Sequence, residues 1–237
     1  MGFNSISRTH VGLRRKLNED AVLESGSRLI WAVADGMGGH HAGEVASAMI
    51  IEGLAQIPEA SNFDNLVGKV LGALEDVNRA LIALAQADHL ERTMGSTVVG
   101  LVLGDGQYKC FWVGDSRGYR VRAGNIIQLT RDHSLVQDLV DAGMIEASEA
   151  ETHPNANVVT RAVGASANLK TDTVGGGLEP GDIFLLASDG LTRLVGAPEL
   201  LAELSTNSLE VAADRFIELA LERGAPDNVS LVIVRAS

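Results

Sequence analysis

A single cysteine, Cys110, stands in 237 residues, so no internal disulfide can brace this chain, and a reducing compartment suits it. Aromatic residues are scarce at 4%, which leaves Val, Leu, Ile and Ala to fill the interior. Positive charge is short as well: 19 Lys and Arg face 31 Asp and Glu, a net charge of −12. Such a field repels nucleic acid and anionic membrane surfaces, and the chain is expected to bind neither. No apolar run approaches the roughly 18 residues of a membrane-spanning helix. The opening MGFNSIS has no basic and apolar regions of a secretory signal, and Ile6 stands where a myristoylation pattern needs Ser or Thr. Linkers, charge blocks and internal repeats are missing too. Residues 1–237 therefore read as a single domain, a monomer of the cytoplasm.

What is present is enough apolar material, 46%, arranged in short segments. Strands are expected over 20–24 and 28–34, joined by a two-residue hairpin turn at Gly26-Ser27. A Gly-rich turn at 36–39 leads to a helix over 43–56, stopped by Pro58. Leu66, Val70, Leu74, Val77, Leu81 and Leu84 recur in steps of three and four, which predicts a helix over 65–86 packed on a sheet. Strands over 96–103, 108–114, 118–122 and 125–129 follow too closely for helical crossovers, so an antiparallel meander is expected. After a mixed stretch at 134–157, strands are expected near 158–163, 171–175 and 183–188. Helices over 198–204 and 208–223 and a last strand over 229–235 complete an α+β pattern, with helices packed outside antiparallel sheets.

Acidic signatures punctuate these strands: Asn18-Glu19-Asp20, Asp35-Gly36, Asp115-Ser116, Asp189-Gly190 and Asp227-Asn228. They border the apolar runs WAVA, CFWVG, IFLLAS and VSLVIV. A carboxylate at the end of a buried strand is costly without a compensating cation or donor. Several such ends, gathered together, form an oxygen-rich pocket suited to hard divalent ions such as Mg2+ or Mn2+. One Asp-Gly pair alone is usually only a turn.

The combination is far more specific. GLRRKLNEDA (12–21), VADGMGGHHAGEVAS (33–47), GST (95–97), VGDSRGYR (113–120), LTRDHS (129–134), VVTRAVG (158–164), LLASDGL (185–191) and PDNVSLVIV (226–234) occur in one order along nearly the whole chain. In that order they resemble the metal-dependent serine/threonine protein phosphatases, the PPM or type 2C family, in its compact bacterial form. The resemblance implies an α-β-β-α sandwich, two mainly antiparallel sheets flanked by pairs of helices. It implies hydrolysis of phosphoserine and phosphothreonine by direct attack of a hydroxide held between two Mn2+ or Mg2+ ions. The implied partners are phosphorylated proteins and the bacterial serine/threonine kinase that modifies them.

By the same resemblance Asp35 bridges the two ions, the Gly36 carbonyl adds an oxygen ligand, and Glu19 serves one ion, partly through water. Asp189 and Asp227 serve the other, and Asp115 with Asp189 forms a third, weaker site. Arg15 matches the phosphate-gripping position, where a forked guanidinium can hold two oxygens at once. His40 has two readings: general acid for the leaving group, or a surface residue near the site. The segment 135–157 beside the site is expected to carry substrate preference. Two departures stand out. Thr9-His10 replaces a Ser-Asp pair, and Arg193 stands where many relatives carry an acid, which puts the third ion in question. Two other functions compete with this one. A hydrolase of small phosphate esters would share the carboxylate site, whereas an inactive phosphoprotein-binding module would have lost Asp35, Asp189 or Asp227.

Overall fold

A computed structural model describes residues 2–38, 41–87 and 94–237. The strands are β1 (Phe3–His10), β2 (Asp20–Ser25), β3 (Ile30–Met37), β4 (Gly95–Ser96), β5 (Val98–Gly104), β6 (Gln107–Val113), β7 (Arg117–Arg122), β8 (Asn125–Gln128), β9 (Asp172–Gly177), β10 (Ile183–Ala187) and β11 (Val229–Ala236). The helices are α1 (Ala42–Ala55), α2 (Phe63–Ala87), α3 (Leu135–Asp141), α4 (Asp189–Thr192), α5 (Ala197–Thr206) and α6 (Leu209–Glu222). One sheet runs β1-β11-β10-β7-β8; the other runs β2-β3-β5-β6-β9, with β4 added beside β3.

The layering follows from strand periodicity. In β3, Ile30, Ala32 and Ala34 pack with Ile50 and Leu54 of α1 and Val70, Leu74 and Leu81 of α2. The alternate residues Trp31 and Val33 face the second sheet, in a cluster with Phe184, Leu186, Val232 and Val234. On that sheet's far side, Leu185, Leu231 and Ile233 meet Leu200 and Leu204 of α5 and Phe216 of α6. Strands covered on both faces read as unbroken apolar runs, which is why WAVA and VSLVIV show no polar alternation. The result is the expected α-β-β-α sandwich. Leu84, the last residue of the predicted α2 stripe, is 40% exposed, because the helix outlasts the sheet it lies on.

The structure departs from the sequence reading in several places. Strand β1 was not anticipated; its mixed sequence FNSISRTH is an edge strand with one neighbour, β11. The stretch 158–163 makes only isolated bridges, Ser96 to Val163 and Ser134 to Val159. The meander is split: β5 pairs with β6 in one sheet, while β7 pairs with β8 in the other. The change of sheet occurs within Gly114-Asp115-Ser116, between β6 and β7. Gly114 takes φ +115°, and a Cβ there would meet Thr97 Cβ at 2.5 Å, so only glycine makes this crossing. The first hairpin turns over four residues rather than two. Ser25 pairs with Ile30, not with Arg28, and Leu29 accepts a left-handed φ of 60°.

Candidate active site

That four-residue turn decides which acids meet. Its register sets Asp20 of β2 opposite Asp35 of β3; the two-residue turn would have paired Asp20 with Val33 and slipped the strand by two positions. Asp35 is joined by Asp115 from the sheet crossing, Asp189 from the start of α4 and Asp227 from the residues before β11. Strands of both sheets thus deliver carboxylates to one edge of the sandwich. Gly36 lets three backbone segments close around that edge: a Cβ on it would sit 2.0 Å from Gly43 O and 2.6 Å from Glu19 O. The Gly36 N–H donates to Glu19 O at 3.1 Å, and Glu19 Oε1 comes within 2.6 Å of the Cβ position of Gly43.

The electrostatics show strain among like charges. Burial, then the neighbouring Asp20, Asp189, Asp115 and Asp227, push Asp35 well above the ordinary carboxylate range. Burial lifts Asp20 to about 7 against the hydrogen bonds of Ser230 and Ser188. Burial and Asp189 lift Asp115 to about 7, although Arg193 pulls it down. Asp189 is raised too, by burial first, while Arg193 and a hydrogen bond with Asp35 restrain it. The cluster holds more negative charge than its own cations neutralise.

Two guanidinium groups reach it. Arg15 Nη2 donates to Asp227 Oδ2 at 2.7 Å. Arg193 Nη2 lies 3.1 Å from Asp115 Oδ2 and 3.0 Å from Asp189 Oδ2. Among the described residues no three acids, histidines or cysteines stand close enough together to form a ready ligand set. The donor chemistry nonetheless fits two hard divalent ions: the Asp20, Asp35, Asp115 and Asp189 oxygens are buried and mutually repelling, with Asp227 at the rim, the condition under which a bound cation lowers the cost of the charge.

The expected residues Arg15, Glu19, Asp35, Gly36, Asp115, Asp189 and Asp227 are all drawn to this edge. His40 lies outside the described residues. Residues outside that expected set complete the arrangement. Asp20 sat in plain view beside Glu19, but its place depended on the hairpin register. Asn228 is the hub of the 11–19 loop: its Oδ1 accepts from Glu19 N at 2.8 Å, and its Nδ2 donates to Val11 O and Leu17 O, both at 2.9 Å. Ser188 Oγ donates to Asp20 Oδ2 at 3.0 Å and accepts from Ser230 N at 3.0 Å. Thr9 joins the same hydroxyl chain through Ser230 Oγ at 2.8 Å, which accounts for the departure noted at Thr9-His10.

Beside the site, residues 134–160 rise as a flap whose ends are pinned. Leu135 N donates to Val158 O at 2.9 Å and Thr160 N to His133 O at 2.8 Å. His133 is buried beneath it. Its Nδ1 accepts from Gly114 N at 3.1 Å, so the neutral ring carries its proton on Nε2, 3.2 Å from Asp172 Oδ2. Burial lowers its pKa, and Trp112 stacks on the ring. The imidazole thus braces the sheet crossing against Asp172 of β9, while the His133 backbone carbonyl holds the end of the flap.

The protein phosphatase 2C family model matches residues 10–227. The serine/threonine protein phosphatase PstP of Mycobacterium tuberculosis is 38% identical over 227 residues, 96% of this chain and 44% of that protein. The chain therefore spans less than half the length of this relative. Among solved structures, PppA, described as a key regulatory component of T6SS in Pseudomonas aeruginosa, superposes with a TM-score of 0.93 at 41% identity, covering 100% of this chain and 99% of the other. The catalytic domain of PstP in complex with two manganese ions superposes with a TM-score of 0.86 at 33% identity, covering 98% and 97%.

Proposed function

The chain belongs to the protein phosphatase 2C family, and from that premise we propose that it hydrolyses phosphoserine and phosphothreonine in proteins with two Mn2+ or Mg2+ ions. The observation that carries this reading is the meeting of Asp20, Asp35, Asp115, Asp189 and Asp227 at one sandwich edge, where burial and mutual repulsion raise Asp20, Asp35, Asp115 and Asp189. In this reading Asp35, Glu19, the Gly36 carbonyl, Asp189 and Asp227 would hold the two ions between them. Bound there, the ions acidify a water at neutral pH and draw charge from the phosphoryl group. The PstP domain solved with two manganese ions supports that count.

The chain's own side chains do the remainder. Arg15, half-exposed at the rim, releases Asp227 to the ion and turns its fork to two phosphate oxygens. Asp20, braced by Ser188, accepts a proton from a water at the site. His40 protonates the departing alkoxide. Cys110 is fully buried, and burial pushes its thiol up to about 12, so a thiolate nucleophile has no place in the reaction. Residues 1–237 make one catalytic domain, acting as a monomer in the cytoplasm. Its substrates are phosphoproteins, selected by the flap, and its natural opponent is a serine/threonine kinase. No helix of the described residues is long and apolar enough to cross a membrane.

The test is phosphate release from a phosphothreonine peptide, in EDTA and then in Mn2+, beside Asp189→Asn. Release that needs Mn2+ and falls at least ~100-fold in the variant is expected, since losing an ion ligand should exceed the loss of a group that merely orients one. Activity that survives EDTA would overturn the reading. Turnover of aryl phosphates without any of phosphopeptides would reassign the chain to small phosphate esters.

A further inference from the structure

Arg193 closes the first turn of α4, four residues after Asp189, and its side chain folds back over the site. Both hydrogens of its Nη2 are used: one goes to Asp115 Oδ2 at 3.1 Å and the other to Ala156 O of the flap, also at 3.1 Å. Asp189 Oδ2 approaches the same nitrogen at 3.0 Å. Two carboxylates, one from the sheet crossing and nearly fully buried, the other from the start of α4 and mostly so, therefore converge on a single point, and a permanent cation already sits at it. A divalent ion shared by Asp115 and Asp189 would need oxygens within about 2.0–2.6 Å of its centre, and the guanidinium fills that space. The third ion expected from the family resemblance does not fit this chain.

We propose that Arg193 is a built-in substitute for a third metal ion, a positioning residue that neutralises Asp115 and Asp189 and ties the flap at Ala156 to the catalytic floor. A guanidinium stays charged at every physiological pH and directs its hydrogens in a fixed plane, so the link is independent of metal supply. A small cavity of about 110 Å³ lies under the flap, walled in part by Asp115, Asp132, Ser134, Gln137, Ala156 and Arg193. Asp189 lines it as well, so the cavity and the dinuclear site share that carboxylate, with Arg193 against it. In a chain with an acid at 193, the same space would be open to an ion, and the flap would be held only while that ion was bound. This inference rests on the dinuclear reading above and adds that the count stops at two.

The experiment counts ions directly. The full chain is stripped with EDTA, then titrated with Mn2+ and assayed by calorimetry and by metal analysis after equilibrium dialysis. Wild type is expected to bind two Mn2+ per chain with no third up to millimolar concentration. Arg193→Asp is expected to gain a third, weaker ion, and adding Asp115→Asn should remove it again. Limited proteolysis within 142–157 should run several-fold faster in metal-free Arg193→Asp than in metal-free wild type. Arg193→Gln, which keeps size and loses charge, serves if the aspartate variant does not fold; it should show the same protease sensitivity. A third ion in wild type, or a count that stays at two in Arg193→Asp, would overturn the proposal while leaving the phosphatase reading intact. Absence of any bound Mn2+ in wild type would overturn both.

Discussion

Strand β10 has an acid just beyond each of its ends, and the fold treats the two in opposite ways. Asp182, before the strand, is wholly buried and fully supplied: Arg122 reaches it with Nε at 2.6 Å and Nη2 at 2.5 Å, and Glu179 N adds a third donor at 2.9 Å. Asp189, after the strand, shares one guanidinium with Asp115 and lies among Asp35 and Asp227. A structural carboxylate in this molecule comes with its own cation. The site carboxylates outnumber theirs, so the missing charge must come from outside, and a divalent ion is the economical source. The same contrast holds for Asp132, held by Arg117 through paired bonds of 3.0 and 2.8 Å.

The largest effect is expected at Arg122. Arg122→Ala leaves the Asp182 carboxylate buried without its partner and should cost about 3–5 kcal/mol, read as a lowered urea midpoint. The double variant with Asp182→Asn should recover part of that loss. If Arg122→Ala unfolds at the wild-type midpoint, Asp182 is not a self-sufficient charge and the contrast fails.

A change of pH sharpens the other half. Asp20 and Asp115 sit near 7 in the folded chain against an ordinary value of 3.8. Between those values the folded metal-free protein holds protons that the unfolded chain has released, so stability falls as pH rises through that window. The fall is at most about 1.4 kcal/mol per pH unit for each group. Thermal melts in EDTA should therefore give a lower Tm at pH 8 than at pH 5, and Mn2+ should raise the pH 8 value more. A metal-free Tm that climbs with pH would show that the cluster is already neutralised from within.

The smallest effect is expected at the rim, where Arg15 meets Asp227 in solvent. Arg15→Lys should keep the fold within about 0.5 kcal/mol and lower kcat/KM toward phosphopeptide roughly tenfold, because an ammonium cannot offer two parallel donors. An unchanged kcat/KM would remove Arg15 from the phosphate-binding role.

Much of this was legible from residues alone. The strand runs, the α2 stripe and the acids at strand ends appear in the chain order, because side-chain period and turn chemistry are local properties. Strand β1 escaped because an edge strand needs little apolar alternation. Asp20 escaped because its placement turns on whether a hairpin spends two residues or four, and Leu29 gave no hint that it would accept a positive φ. Asn228 stands in the sequence as half of an acidic pair, but its bonds to Val11, Leu17 and Glu19 join residues more than 200 positions apart.

The sequence by itself therefore determined the inventory: which segments would be buried on both faces, and which oxygens would be left at their ends. Tertiary structure alone decided the company those oxygens keep. The three-residue crossing at Gly114-Asp115-Ser116 hands Asp115 from one sheet to the other, and only then can Arg193 reach Asp115, Asp189 and Ala156 together. The physical reason is range. Propensity and periodicity act over a few residues, whereas charge compensation acts through space, between groups whose neighbours exist only once the sheets have packed.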